Sequence, residues 1–215
     1  MAVIHRTTLT PTKLELLAEW LPLRPWYRNS GGAPLLARAG GFRLDDPEGE
    51  VGIEFMVVTD AAGDGPAAYL VPLTYRGAPL EGAGDALVGT MEHGVLGKRW
   101  VYDGAHDPVL LERLLALLAG GASAQAQSES DTPDPTVEVR TEGARPAAEP
   151  AGLAEVADTD GATVVTVGPA ALTLSRVLRP GPAAEGVLGQ VLAGWTAPDG
   201  SARRGVFVRL DDAGR

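Results

Sequence analysis

The 215-residue chain has no cysteine, only two lysines (Lys13 and Lys98) and three histidines (His5, His93 and His106). Without cysteine, disulfide staples and thiolate chemistry are excluded. A structural zinc site loses its main ligand, and the histidines are not spaced as paired ligands. No apolar run approaches the ~20 residues of a membrane span. The opening MAVIHRTTLTPT lacks the apolar core of a secretory leader. These features lead us to expect a cytoplasmic protein with no membrane partner. A net charge of −10 opposes a polyanion, and the only adjacent basic pairs are Lys98-Arg99 and Arg203-Arg204, so no nucleic-acid partner is expected.

What is present is enough to fold. A chain of this length buries roughly 70% of its unfolded surface. Thr10–Leu21 reads as a helix, with Thr10 as cap, Pro11 at the first position, and Leu14, Leu17 and Leu21 on one face. Three extended segments follow. Leu35–Leu44 is interrupted by Gly40-Gly41; Val51–Thr59 places Val51, Ile53, Phe55 and Val57 on one face; Ala68–Tyr75 contains a proline that favours an edge or a bulge. Val88–Asp103 reads as a strand or hairpin. Asp107-Pro108 then opens a leucine-rich helix that Gly120-Gly121 closes. The expected fold class of this half is α+β, a small, mostly antiparallel sheet with flanking helices.

From 121 to 150 large apolar residues nearly vanish, which predicts a flexible linker with room for a short strand at Thr136–Arg140. Strand-like segments resume at Thr163–Val167, Ala171–Val177, Val187–Trp195 and Gly205–Leu210, with a helical turn expected near Ala183–Leu188. Gly168-Pro169 and Pro198-Asp199-Gly200 supply hairpin turns. The expected domains are therefore 1–120, a linker at 121–150, and a small β-rich region at 151–215.

Catalytic signatures are scarce. There is no G-x-S-x-G elbow, no P-loop and no G-x-G-x-x-G. Asp103, His106 and Asp107 suggest an acid–base cluster, but a capping role for Asp107 at a helix start is favoured. The aromatics Trp20, Trp26, Tyr27, Trp100 and Tyr102 suggest a sugar-stacking platform, but aromatics at element ends are more often core.

The order of several short motifs carries the most information. Ala18–Tyr27 (AEWLPLRPWY) contributes Trp20, Leu21, Pro22, Trp26 and Tyr27. Tyr69–Leu80 (YLVPLTYRGAPL) contributes Tyr69, Pro72, Tyr75 and Arg76, and Asp85–Thr90 (DALVGT) follows. Arg99–Pro108 (RWVYDGAHDP) contributes Trp100, Tyr102, Asp103, Asp107 and Pro108. In this order the segments, spanning residues about 10 to 120, resemble the N-terminal cap domain of actinobacterial maltokinases. The resemblance implies a cystatin-like cap and a link to maltose, trehalose or glycogen metabolism. It also implies that these residues are structural or interfacial, since in such kinases the cap packs on the N-lobe.

More weakly, Thr163–Pro182 resembles the N-lobe strand pair that follows the cap, which makes 151–215 a degenerate N-lobe remnant. The ATP lysine of such kinases would fall near Thr173 or Ser175, and the nearby Arg176 differs from lysine in geometry and reach. No lysine lies beyond residue 98, and no C-lobe is expected within the sequence up to Arg215. The expectation is a non-catalytic accessory or regulatory protein with a protein partner and no cofactor, metal or catalytic residue. A component of a split sugar kinase, completed by a C-lobe in trans, is the alternative. The cystatin-like implication draws attention to Gln190–Gly194 (QVLAG), near the Q-x-V-x-G inhibitor signature, but it lies outside the cap-like region and reads as a chance match.

Overall fold

The computed structural model describes residues 7–28, 32–62, 65–129, 131–142 and 155–213. His5, residues 143–150 of the expected linker and residues 151–154 of the expected β-rich region lie outside the described residues. The elements run β1 (Leu9–Thr10), α1 (Lys13–Trp20), β2 (Leu36–Leu44), β3 (Gly52–Asp60), β4 (Ala67–Arg76), β5 (Leu87–His93) and β6 (Gly97–Asp103). They continue with α2 (Pro108–Leu118), β7 (Glu138–Thr141), β8 (Glu155–Asp158), β9 (Ala162–Val167), β10 (Ala170–Ser175), β11 (Gly189–Thr196) and β12 (Ala202–Asp212). All strand pairings among them are antiparallel, in the order β1-β5-β6-β4-β3-β2-β11-β12-β10-β9-β8, with β7 beside β11.

The expected α+β cap, a small sheet with flanking helices, is thus replaced by a mostly β protein built on one 12-stranded sheet. The cause is a pairing that no local pattern announces. β2 does not end the first half's sheet but meets β11, Gly40 opposite Trp195. The Gly40-Gly41 pair that reads as an interruption is where the two halves of the sheet join. A Cβ on Gly40 would lie 3.1 Å from the Gly194 carbonyl oxygen, and one on Gly41 would lie 2.0 Å from that of Phe55. Both glycines also take left-handed-side backbone angles, φ 143° and 117°. A bulge between Arg38 and Gly40 bends the strand there.

Both faces of the central strands are buried, so β3 is a nearly continuous apolar run rather than a clean alternation. Its Ile53, Phe55 and Val57 join α2 and the second-half strands in one core; Met56 and Val58 join α1, Trp20 and Trp26 in the other. Phe42 stacks on Phe55 at 4.6 Å and faces Phe207 at 6.4 Å, so aromatic packing crosses the junction of the halves.

Local corrections follow from backbone accounting. α1 starts two residues later than expected: Thr12, not Thr10, is the cap, and its hydroxyl and Glu15 form a reciprocal capping box. β4 is an interior strand despite its proline. Pro72 sits where β4 changes its second neighbour, from the Arg176–Leu178 segment beside residues 68–70 to β6 from Leu73 onward. A residue without an N–H fits that gap. The expected linker is laid down on the sheet as far as Glu142. Arg43 and Gln125 exchange both backbone hydrogen bonds at 2.9 Å, and β7 pairs with β11. No helical turn forms at 183–188; the Gln190 side chain instead bonds both the N–H and the carbonyl of Ala184 at 2.8 Å. The QVLAG motif is therefore part of an interior strand, with its glutamine closing a loop.

Gly41→Ala should cost about 1–3 kcal/mol, from backbone strain and the clash with Phe55, seen as a lower urea midpoint. Gly181→Ala, where a Cβ meets open space, should stay within about 0.5 kcal/mol of the parent. Equal effects would contradict the role assigned to the junction.

Candidate functional site

The polar centre of the seam is Arg176, just past the end of β10 and fully buried. Its Nε donates to the Thr163 hydroxyl oxygen at 2.6 Å, and its Nη2 donates to Asp103 Oδ2 at 2.5 Å. The guanidinium lies 5.0 Å over the Trp26 ring. The Thr163 hydroxyl donates in turn to Asp158 Oδ1 at 2.5 Å, and Asp103 Oδ1 caps the turn Gly104–His106 through the Ala105 N–H. One side chain of the second half thus ties β6, β9 and the Trp26 segment of the first. It does not stand in for a nucleotide-binding lysine; its charge is spent inside the protein.

Beside this tie is a recess of about 350 Å3. Arg28, Asp60, Tyr69 and residues 65–68 line it from the first half, and Val177, Leu178 and Arg179 from the second. Asp60 is saturated by its own surroundings: Oδ2 accepts the Tyr27 hydroxyl at 2.6 Å, and Oδ1 accepts the N–H groups of Leu35 and Ala62 at 2.9 Å. The Tyr69 hydroxyl oxygen accepts the Arg28 N–H at 3.1 Å. Burial, with the Asp60 charge nearby, pushes the Tyr69 phenol above its usual range, so it keeps its proton.

A second groove, about 620 Å3, runs along the open face of β9, β10 and β12. Val164, Thr166 and Thr173 line it, with Arg209 and Asp211. Thr173, one of the two positions (with Ser175) near which the N-lobe resemblance places a lysine, is therefore on an accessible face. Among the described residues Arg209 is the one basic residue lining the groove, and its Nε bonds Asp211 at 2.6 Å.

The other residues singled out in the sequence are mostly packing groups. Trp20, Trp26, Tyr69 and Tyr102 are buried, and Trp26 lies 5.9 Å from Trp20 and 6.0 Å from Tyr69. Their faces are covered and offer no sugar platform. Leu21 and Pro72 are buried, whereas Pro22 and Pro108 are exposed and Trp100 is half-buried. The Tyr102 hydroxyl accepts the Leu80 N–H at 2.9 Å. Asp107 caps α2 through the Val109 N–H and holds Arg76 by two 2.7 Å bonds, while His106 points to solvent-exposed surface. The acid–base cluster suggested by Asp103, His106 and Asp107 resolves into two caps, each tied to an arginine.

A buried polar cluster was missed. Glu54, inside the apolar run of β3, is 3% exposed. Its Oε2 accepts Lys13 Nζ and, at 2.7 Å, the Tyr75 hydroxyl; its Oε1 accepts Gln127 Nε2 at 3.1 Å. The signal available in the sequence was a carboxylate within VGIEFMVVT on a face that is buried. Burial works to raise this carboxyl, but Lys13, Tyr75 and Arg38 outweigh it and hold it below the usual range. Burial and the Glu54 charge push the Tyr75 phenol well up.

Because the Glu54 carboxyl is depressed on folding, its stabilisation is present above about pH 4.5 and is lost as pH falls through the lower folded value. Glu54→Gln should cost about 1–3 kcal/mol at neutral pH and flatten the loss of stability below about pH 4.5, measured by urea unfolding across pH. Arg176→Leu should cost about 3–5 kcal/mol by stranding buried Asp103, and Arg176→Leu with Asp103→Asn should recover part of that loss. Additive losses would argue against the tie.

No curated protein matches the chain. The family model of the maltokinase N-terminal cap domain matches residues 20–107, from the end of α1 to the Asp107 cap of α2. The motif order, the strands β2 to β6 and the packing of their aromatics agree with that match, which marks residues 20–107 as similar to the maltokinase N-terminal cap domain.

Proposed function

We propose that the chain is a non-catalytic, maltokinase-related binding protein, an accessory or regulatory partner of an enzyme of α-glucan metabolism. The maltokinase cap domain supports the metabolic assignment. The observation that carries the non-catalytic part is the groove on β9, β10 and β12. Its lining holds Thr173, one of the two positions (with Ser175) near which a phosphate-pairing lysine is expected, and the one guanidinium lining it among the described residues is occupied by Asp211. Phosphoryl transfer needs a cation on the nucleotide phosphates and carboxylates for magnesium. Among the described residues, no group of three or more His, Asp or Glu side chains is placed to hold a metal ion.

One observation favours the split-kinase reading. The same groove is within the usual size of a ligand pocket, roughly 300–1,000 Å3, and lies on the strand pair that resembles an N-lobe. In that reading a second chain brings the C-lobe and the missing cation.

Titration with Mg-ATP separates the two. A non-catalytic module should show no change in melting temperature. At about 100 times Kd a bound nucleotide would add ~2.7 kcal/mol, or roughly 5–10 °C for a chain of this size. A shift of that order would put the split kinase first. Capture of a trehalose- or glycogen-handling enzyme by the full chain, without phosphorylation of maltose in the mixture, is the outcome expected of an accessory protein.

A further inference from the structure

We infer that the recess at the seam is a binding site for a small phosphomonoester, held between Arg28 of the cap and Arg179 of the second half. In a chain of net charge −10, two arginines line one recess and, among the described residues, neither is firmly paired. Arg179 is exposed, and its side chain makes no hydrogen bond or ion pair among the described residues. Arg28 reaches the Asp160 carbonyl at 3.1 Å, and the Asp160 carboxylate, 93% exposed, stands 3.6 Å away. An ion pair so exposed contributes little and yields readily to a better acceptor.

Tyr69 is a fully buried part of the recess wall, and its oxygen accepts the Arg28 N–H. Asp60, the one carboxylate in the lining among the described residues, already accepts three donors and so opposes an incoming anion less than a bare carboxylate would. Two guanidinium forks match an oxyanion with three acceptor oxygens and up to two charges better than they match a carboxylate. The volume, about 350 Å3, leaves space beyond the phosphate for a compact body against Val177 and Leu178.

The test uses the full chain labelled with 15N and three probes: inorganic phosphate, phenyl phosphate and phenylacetate. Saturable amide shifts at Ala68, Tyr69, Leu178 and Arg179 are expected, with phenyl phosphate tightest. Arg28→Ala and Arg179→Ala should each weaken it about tenfold with the melting temperature retained, whereas Arg209→Ala in the other groove should change nothing. Shifts that fail to saturate by about 10 mM, or that persist unchanged in Arg28→Ala and Arg179→Ala, overturn the site. Equal affinity for phenylacetate overturns its assignment to phosphomonoesters. The result stands apart from the Mg-ATP titration, since nucleotide bound in the Thr173 groove would survive Arg179→Ala.

Discussion

A guanidinium with no exposed surface sets the terms for the rest of this molecule. Arg176 cannot reach water, so its charge must be met inside the protein; Asp103, Thr163 and the Trp26 ring meet most of it, while Nη1 has no hydrogen-bond partner among the described residues. Leaving such a charge unmet costs several kcal/mol, so few arrangements of the two halves are tolerated. Asp103 adds a second condition, because the same carboxylate caps the turn leading into α2. The ion pair thus couples the register of β10 to the end of β6. The backbone repeats the constraint: Leu70 donates to the Arg176 carbonyl at 3.0 Å and Leu178 donates to that of Ala68 at 2.8 Å.

Elements whose cause is local were legible in the sequence. The Asp107-Pro108 start and Gly120-Gly121 stop of α2, the β9–β10 turn at Gly168-Pro169 and the turn at Pro198-Asp199-Gly200 stand where turn and cap chemistry put them. The similarity to the cap domain was legible too, from motif order. The fold class was not, because sheet membership is decided by which edges meet. β2 and β11 carry no local mark of each other, and Gly40-Gly41 looks like a break until Trp195 is seen against it. The polar clusters were hidden for the same reason: Glu54 finds Lys13, Tyr75 and Gln127 on three other segments.

The candidate sites follow from this architecture. The cap's buried aromatics, Trp20, Trp26, Tyr69 and Tyr102, are committed to packing, and the two candidate sites lie where strands from different parts of the chain come together. One is the open face of β9, β10 and β12, with its paired Arg209; the other is the seam recess, with Arg28 and Arg179. In the second, each half contributes one cation, so the recess exists only when the halves are joined.

The pairing of Gly40 with Trp195 also bears on how the chain reaches its native state. These residues lie near opposite ends of the sequence, so their contact closes a loop that contains most of the protein, against the chain entropy of everything between. Hairpins such as β3–β4 and β11–β12 close over short distances and are kinetically cheap. The join between β2 and β11 therefore belongs to the slow end of folding. Until it forms, both strands present an unpaired backbone edge on which another copy of the chain can template itself.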